Sequence, residues 1–321
     1  MSKSKIVIGI DIGGTNTAFG FVDADGNLIS EYSIPTNSND KADVFFDRLF
    51  KEIDGQFNKF SARYKLIGIG IGAPNANFYK GTIENPPNLS WGHVNILEII
   101  KKYSALPSSI TNDANAAALG EMLFGAAKGM KNFILITLGT GLGSGIIING
   151  ELVYGADGFA GEIGHTVVDP NGRDCGCGRK GCLETYVSAT GIKRTVFELM
   201  GTTLLPSDLR NYSFQQLTSK MIADAANKGD KLALKAFEIT SKTLGFKLAD
   251  SVTYTSPEAI ILFGGLVQAG NLLIEPTKRY MEEFMLNLFK NKVKILQSKL
   301  PGGSAGILGA GALIWNELNK E

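Results

Sequence analysis

KIVIGIDIGGTNTAFGFVD, Lys5 to Asp23, and NFILITLGTGLGSGIIING, Asn132 to Gly150, are two versions of one pattern. Each has an apolar, β-rich run, a turn of Gly, Thr and Asn or Ser, and a second apolar run. A buried strand needs the first run. A tight hairpin needs the glycines, which reach positive φ without a steric penalty. Absent side chains also let backbone N–H groups come close to an anion. One such turn in each half of the chain predicts two related α/β domains with a central cleft that grips a polyphosphate from both sides.

The surrounding pattern extends this reading. At 321 residues the length suits about two domains. Residues 5–36 predict three short strands, and 41–60 carry apolar residues at helical spacing. Leu66 to Pro74 predicts a buried strand, and Ser108 to Leu123 a strand that turns into a helix. Helices are expected over 186–200, 213–227, 230–253 and 304–319, with EAIILFGGL as a further strand and glycine turn. The domain boundary is placed inside the helix after Asp113. Residues 1–118 and 301–321 then form a small first domain and 119–300 a larger second one.

Composition removes several classes. The net charge of +1 gives no general pull toward nucleic acid or an anionic membrane. No apolar run reaches the roughly 18 residues of a membrane helix. MSKSKIVIGID enters a strand too soon for a signal peptide, so a cytoplasmic, reducing location is expected. There the three cysteines are metal ligands or free thiols rather than disulfides.

DIGGTN, Asp11 to Asn16, opens a second strand, not a helix, so it is neither a P-loop nor a dinucleotide fingerprint. Asp11 closes an apolar strand, where a charge is costly unless paired. It is either a partner for hydrated Mg²⁺, an ion that keeps several waters and uses few carboxylates, or a turn cap. Gly13, Gly14, Thr15 and Asn16, with Gly139, Thr140 and Gly141 of the second turn, are the phosphate candidates. Asn112-Asp113-Ala114-Asn115 stands where a strand hands over to a helix. Asp113 reads either as an N-cap or as the base that takes a proton from an attacking hydroxyl in phosphoryl transfer. Asn112 could hold the same substrate by its amide.

All three cysteines fall in CGCGRKGC, Cys175 to Cys182, ten residues after His165. Three thiolates and an imidazole make a closed tetrahedral zinc set, with no open position for chemistry. Cysteines among Gly, Arg and Lys are not expected in a core. The second histidine, His93, reads as a surface residue. GFAGEIGH, Gly158 to His165, and Leu183-Glu184 flank the loop. Glu162, His165 and Glu184 would be fixed by a bound ion and, with Asn112 and Asp113, form a hydroxyl-binding set suited to a sugar. Taken singly, each Glu could equally be a solvated charge.

In this order DIGGTN, NDAN, LGTGLGSG, GFAGEIGH and CGCGRKGCLE resemble the ROK family of repressors, open reading frames and sugar kinases, over almost the whole chain. The resemblance implies the actin/hexokinase-like ATPase fold, two duplicated ribonuclease H-like domains, with ATP, Mg²⁺ and structural Zn²⁺ as cofactors. By position, Asp113 matches the family's base. Asn112, Glu162, His165 and Glu184 match sugar ligands, and Asn75 and Asn88 fall more loosely in the sugar pocket. His165, Cys175, Cys177 and Cys182 match the zinc ligands. Asp11 and the two glycine turns match phosphate contacts, and Gly264 and Gly265 in FGGL match the turn beside adenosine. GADGFAGEIGH and PPNLSWG look most like glucokinase members, so phosphorylation of the glucose 6-hydroxyl is expected. A kinase for N-acetylhexosamines or mannose is the alternative, and a non-catalytic sugar-responsive regulator a second. Repressor members carry a winged helix before the first turn. A strand starting at Lys5 leaves no room for one, so no nucleic-acid partner is expected. A homodimer is implied, with 186–230 able to supply its contact.

Overall fold

The structure is a computed structural model that describes residues 3–320, and in it the opening motif is an antiparallel hairpin. Strands β1 (Ser4–Ile12), β2 (Asn16–Val22) and β3 (Leu28–Pro35) form a meander. After helix α1 (Ala42–Phe57), β4 (Tyr64–Gly72) pairs in parallel with β1. A small sheet of β5 (Ala76–Asn77), β6 (Thr82–Glu84) and β7 (His93–Asn95) follows, then α2 (Ile96–Ile100). Strand β8 (Ser108–Thr111) joins β4 in parallel and runs into α3 (Asp113–Phe124), giving the order β3-β2-β1-β4-β8.

The alternation of Ile and Gly in β1 and β4 sorts the two faces of this sheet. Successive residues of a strand point to opposite sides. Ile6, Ile8, Ile10, Ile69 and Ile71 enter a core with Phe45, Phe46 and Leu49 of α1. The glycines receive α8 (Ala305–Leu318) on the other face. A Cβ at Gly9 would lie 2.1 Å from the Ile307 carbonyl oxygen, and one at Gly70 1.8 Å from that of Ala310. Only a bare backbone allows the helix this close.

The second sheet repeats the plan. Strands β9 (Phe133–Leu138) and β10 (Leu142–Ile148) form the hairpin, with the two-residue β11 (Glu151–Leu152) at the edge. Helices α4 (Ala189–Thr202), α5 (Ser219–Asn227) and α6 (Lys231–Thr255) intervene before β12 (Ala259–Phe263), which pairs in parallel with β9. Helix α7 (Asn271–Phe284) leads to β13 (Lys294–Gln297), completing the order β11-β10-β9-β12-β13. Ile134 and Ile136 share a core with Ile192 and Val196 of α4 and Leu244 and Leu248 of α6.

Among the described residues two compact units result: 3–130 with Leu152–Ala160 and 299–320, and Lys131–Glu151 with Gly161–Ser298. The break falls after α3, not inside it. Gly120 of α3 meets Gly309 of α8 so closely that a Cβ on Gly120 would lie 3.1 Å from the Gly309 Cα, and this crossing keeps all of α3 in the first unit. Leu152–Ala160 joins the first unit through Asn77, whose Nδ2 donates to the Asp157 carbonyl at 2.7 Å, and a stack of Phe78 on Tyr154.

Helix starts also differ from the spacing-based reading. Helix α4 begins at Ala189 because the Ser188 hydroxyl caps it, accepting from Gly191 N–H at 2.8 Å. Helix α5 begins at Ser219, capped by Thr218, and not at 213. Helix α7, whose buried Leu273, Thr277 and Met281 recur at helical spacing despite Pro276 in its interior, and the short β5–β7 and β13 are additions to that reading. Among the described residues no helix is long and apolar enough to cross a membrane.

Candidate active site

In the first unit two acids stand at the ends of the two strands that flank β4, namely β1 and β8. Asp11 is the penultimate residue of β1, and Asp113 opens α3 just after β8. A Cβ on Gly72 would lie 3.9 Å from Asp11 Oδ1 and 3.8 Å from the Asp113 Cα, so the acids flank one glycine. The Asp11 carboxylate rests on the first turn of α8, where a Cβ at Gly306 would lie 2.1 Å from its Oδ2. Burial, and then the charge of Asp113, raises the Asp11 pKa to about 6. Asp113 keeps solvent contact, yet the protein packed around it desolvates its carboxylate and pushes its pKa up.

The helix cap here is Asn112, not Asp113. Asn112 Oδ1 accepts from Asn115 N–H at 2.7 Å. Asp113 is thereby released from the capping role, although its Oδ1 accepts from Ala114 N–H at 2.8 Å. Asn112 retains its Nδ2 for a ligand.

The first glycine turn is braced from behind by Thr36, a buried residue that no motif marks. Its hydroxyl donates to the Gly13 carbonyl at 2.7 Å, and its N–H donates to the Thr15 carbonyl at 2.9 Å. Gly13 N–H closes the turn by donating to the Asn16 carbonyl at 3.1 Å, with Gly14 and Thr15 at its tip. Asn88 packs against this turn, its Cβ 2.7 Å from where a Gly14 Cβ would stand. Asn75, at φ 52°, uses both amide hydrogens on the Glu84 and Asn85 carbonyls, each at 3.1 Å. It braces the 84–85 turn and leaves only its Oδ1 for a ligand.

In the second unit Gly139, Thr140 and Gly141 join β9 to β10. The Ala189 N–H donates to the Gly139 carbonyl at 2.8 Å, which ties the start of α4 to the turn. Glu184, in a 3-10 turn over Leu183–Thr185, reaches the same turn: its Oε2 would lie 2.7 Å from a Cβ on Gly141. Ser144 of β10 seats the GEIGH segment by donating to the Gly161 carbonyl and accepting from Ile163 N–H at 3.1 Å. Glu162, exposed, precedes the 3-10 turn Ile163–His165. Gly264, at φ 110°, follows β12 where a Cβ would lie 2.6 Å from the Leu138 carbonyl oxygen, and Gly265 is exposed beside it. His93 is exposed, as a surface residue should be.

The thiols and the imidazole converge in this unit. One ligand atom from each of His165, Cys175, Cys177 and Cys182 lies within 4.8 Å of the others. Cys175 Sγ is 3.7 Å from His165 Nδ1, and Cys177 Sγ is 3.6 Å from Cys182 Sγ. Zn–S bonds of about 2.3 Å in a tetrahedron place sulfurs about 3.8 Å apart, so these residues fit a closed zinc site. Burial raises the Cys175 and Cys182 thiols, while the Arg179 N–H and guanidinium draw Cys177 down to about 6. Contrary to what their polar neighbours suggest, Cys175 and Cys182 are buried and only Cys177 is exposed. Cys182 precedes Leu183, which the second core swallows. Glu184 Oε1 lies 3.0 Å from Cys175 Sγ, so the carboxylate bridges cluster and glycine turn.

The sequence model of the ROK family matches residues 7–317. The chain belongs to the ROK family. It is 36% identical over 319 residues to a glucokinase of Halalkalibacterium halodurans, covering 98% of this chain and 96% of that enzyme. It is 30% identical over 313 residues to a xylose repressor of Bacillus spizizenii, covering 97% of this chain and 77% of the repressor. Among solved structures, a ROK glucokinase of Streptomyces griseus in complex with glucose and AMPPNP superposes with a TM-score of 0.77 at 33% identity, covering 96% of this chain and 98% of that one. The two sheets of matching order are those of this family, in the actin/hexokinase-like ATPase fold.

Proposed function

We propose that this ROK protein is an ATP-dependent kinase for the 6-hydroxyl of glucose, working in the cytoplasm with Asp113 as its base. One observation carries the reading. Asn112 caps α3, so the Asp113 carboxylate, raised in pKa by its surroundings, is available to accept a proton beside Asp11. The 6-hydroxyl oxygen attacks the γ-phosphorus as its proton passes to Asp113. The bond from that phosphorus to the β-bridging oxygen breaks, and glucose 6-phosphate and ADP leave.

The other residues divide by chemistry. N–H groups at the tips of the Gly13–Asn16 and Gly139–Gly141 turns take phosphate oxygens, while those of Gly13 and Gly139 stay bonded inside the turns, and Gly264 and Gly265 border the adenosine. Asn112 Nδ2, Asn88, Asn75 Oδ1, Glu162 and Glu184 take sugar hydroxyls, with His165 using the nitrogen that faces away from Cys175. Asp11, whose pKa burial and the charge of Asp113 hold up, and Asp113, whose carboxylate its surroundings desolvate, would form a seat for a cation. Asp11 would hold hydrated Mg²⁺, which when bound offsets charge on the transferred phosphoryl group. His165 and the three cysteines would hold Zn²⁺ as a structural ion that stiffens the Glu162 and Glu184 segments. A homodimer through 186–230 accompanies this reading, and sedimentation tests it.

Asp113→Asn should fold and bind sugar while losing about 10² to 10⁴ in turnover. Near-normal turnover in that variant would remove Asp113 from the mechanism. ADP release measured with glucose, mannose, N-acetylglucosamine, N-acetylmannosamine and fructose tests the substrate. Preference for an N-acetylhexosamine or mannose over glucose overturns the assignment, and no turnover with any sugar leaves the regulator reading.

A further inference from the structure

Arg173 lies in none of the motifs, yet it is a buried arginine with a filled hydrogen-bond set. A guanidinium has five N–H donors in a rigid planar fork. Here each has an acceptor. Nε donates to Glu198 Oε1 at 2.8 Å and Nη2 to Glu198 Oε2 at 2.5 Å. Nη2 also donates to Thr195 Oγ1 at 2.9 Å. Nη1 donates to the Thr185 carbonyl at 2.6 Å and the Gly191 carbonyl at 3.2 Å. The fork lies over the Tyr186 ring, 4.2 Å from its centroid, and the Arg173 N–H donates to the Tyr186 hydroxyl at 3.2 Å.

These contacts join three pieces. Thr185 and Tyr186 directly follow Glu184. Gly191, Thr195 and Glu198 line α4, whose first residue bonds the Gly139–Gly141 turn. Arg173 itself enters the cysteine loop, where its carbonyl accepts from Gly181 N–H at 2.8 Å. None of its side-chain acceptors is a Cys or His, so the guanidinium contacts are separate from the four clustered residues. We propose that Arg173 is a positioning residue that locks the Glu184 turn onto α4 and thereby sets sugar affinity. This rests on the reading of Glu184 as a sugar ligand.

Arg173→Lys in the full chain keeps the charge and loses the fork. Residues that orient a ligand-bearing group usually matter by 10- to 100-fold in affinity, so KM for glucose should rise about tenfold, with kcat and KM for ATP within about twofold. Zinc content should be unchanged. Combined with Glu184→Gln, Arg173→Lys should add nothing further, since both act through one carboxylate. Glu198→Gln, altered at the exposed end of the pair, should give the same split at smaller scale and serves if Arg173→Lys fails to fold. An unchanged glucose KM overturns the proposal. So do additive effects in the double variant, or an equal decline in kcat and both KM values with a lower melting temperature. A Glu184→Gln enzyme with ordinary glucose KM sinks the sugar role of Glu184 and this one with it. A weakened Glu184→Gln beside an unaffected Arg173→Lys sinks the Arg173 role alone.

Discussion

The two sheets share strand order and hairpin turns, but the penultimate residue of the first strand is Asp11 in one and Thr137 in the other. The Thr137 hydroxyl is satisfied within its own hairpin, accepting from Gly143 N–H at 3.1 Å. The Asp11 carboxylate is instead crowded by burial and by a second acid. At this position one copy of the plan therefore carries a crowded carboxylate and the other a satisfied hydroxyl. The supports differ too. A single threonine, Thr36, braces the first turn, whereas α4 and a cysteine loop brace the second. A duplicated scaffold supplies two glycine hairpin turns; under the proposed mechanism, single side chains at strand ends decide which half does acid–base work.

Four variants test that asymmetry, beginning with the largest effect. Asp113→Asn confines its damage to turnover, and a matching loss in sugar affinity would mean that the first unit's acid is a ligand and not a base. Asp11→Asn should reduce kcat/KM for MgATP on the order of 10²-fold, because a cation seat is lost. Its effect on stability has the opposite sign. The folded pKa of about 6 lies above the ordinary 3.8, so wild-type stability falls as pH rises through 6 and Asp11 ionises. Without ligands, the Asn variant should melt above wild type at pH 8, and this advantage should vanish below pH 4. An Asn variant that melts lower at pH 8 would show that the buried charge is already compensated. For the enzyme itself, the acid limb of kcat/KM should lie above the usual carboxylate range, because protonating either raised acid stops turnover.

The cysteine loop has no counterpart in the first sheet, so zinc should matter to the second unit alone. Protein purified without chelator should hold about one zinc per chain. Cys177→Ser should lower the melting temperature and raise the glucose KM about 10-fold or more, with less change in the KM for ATP. Full sugar affinity in metal-free protein would contradict this. Smallest of all, Thr137→Val removes one hydrogen bond and should cost about 1 kcal/mol, measured by denaturant unfolding. A large loss of turnover there would erase the contrast with Asp11.

Much of the scaffold is legible along the chain because its causes are local. Alternating Ile and Gly in β1 and β4, the GGTN and GTG turns and the interleaved glycines between cysteines each express a strand period or a backbone freedom that a few residues carry. Residue types likewise announce ligands: three cysteines and a histidine within eighteen positions admit few other uses. Less visible were the pieces set by contacts distant in sequence. Leu152–Ala160 leaves the second unit for Asn77 and Phe78. Helix α3 stays whole because Gly309, far along the chain, receives it.

The order of the motifs, the hairpin character of both glycine turns and the chemical identity of the ligands were determined by the sequence by itself, since strand periodicity and glycine geometry act over a handful of bonds. Only the tertiary structure decided that Asn112 takes the cap and frees Asp113, that burial and the charge of Asp113 raise the proton affinity of Asp11 while desolvation raises that of Asp113, and that Arg173 finds five acceptors. Desolvation and charge coupling sum over atoms brought together from remote stretches of chain, and no local pattern encodes that sum.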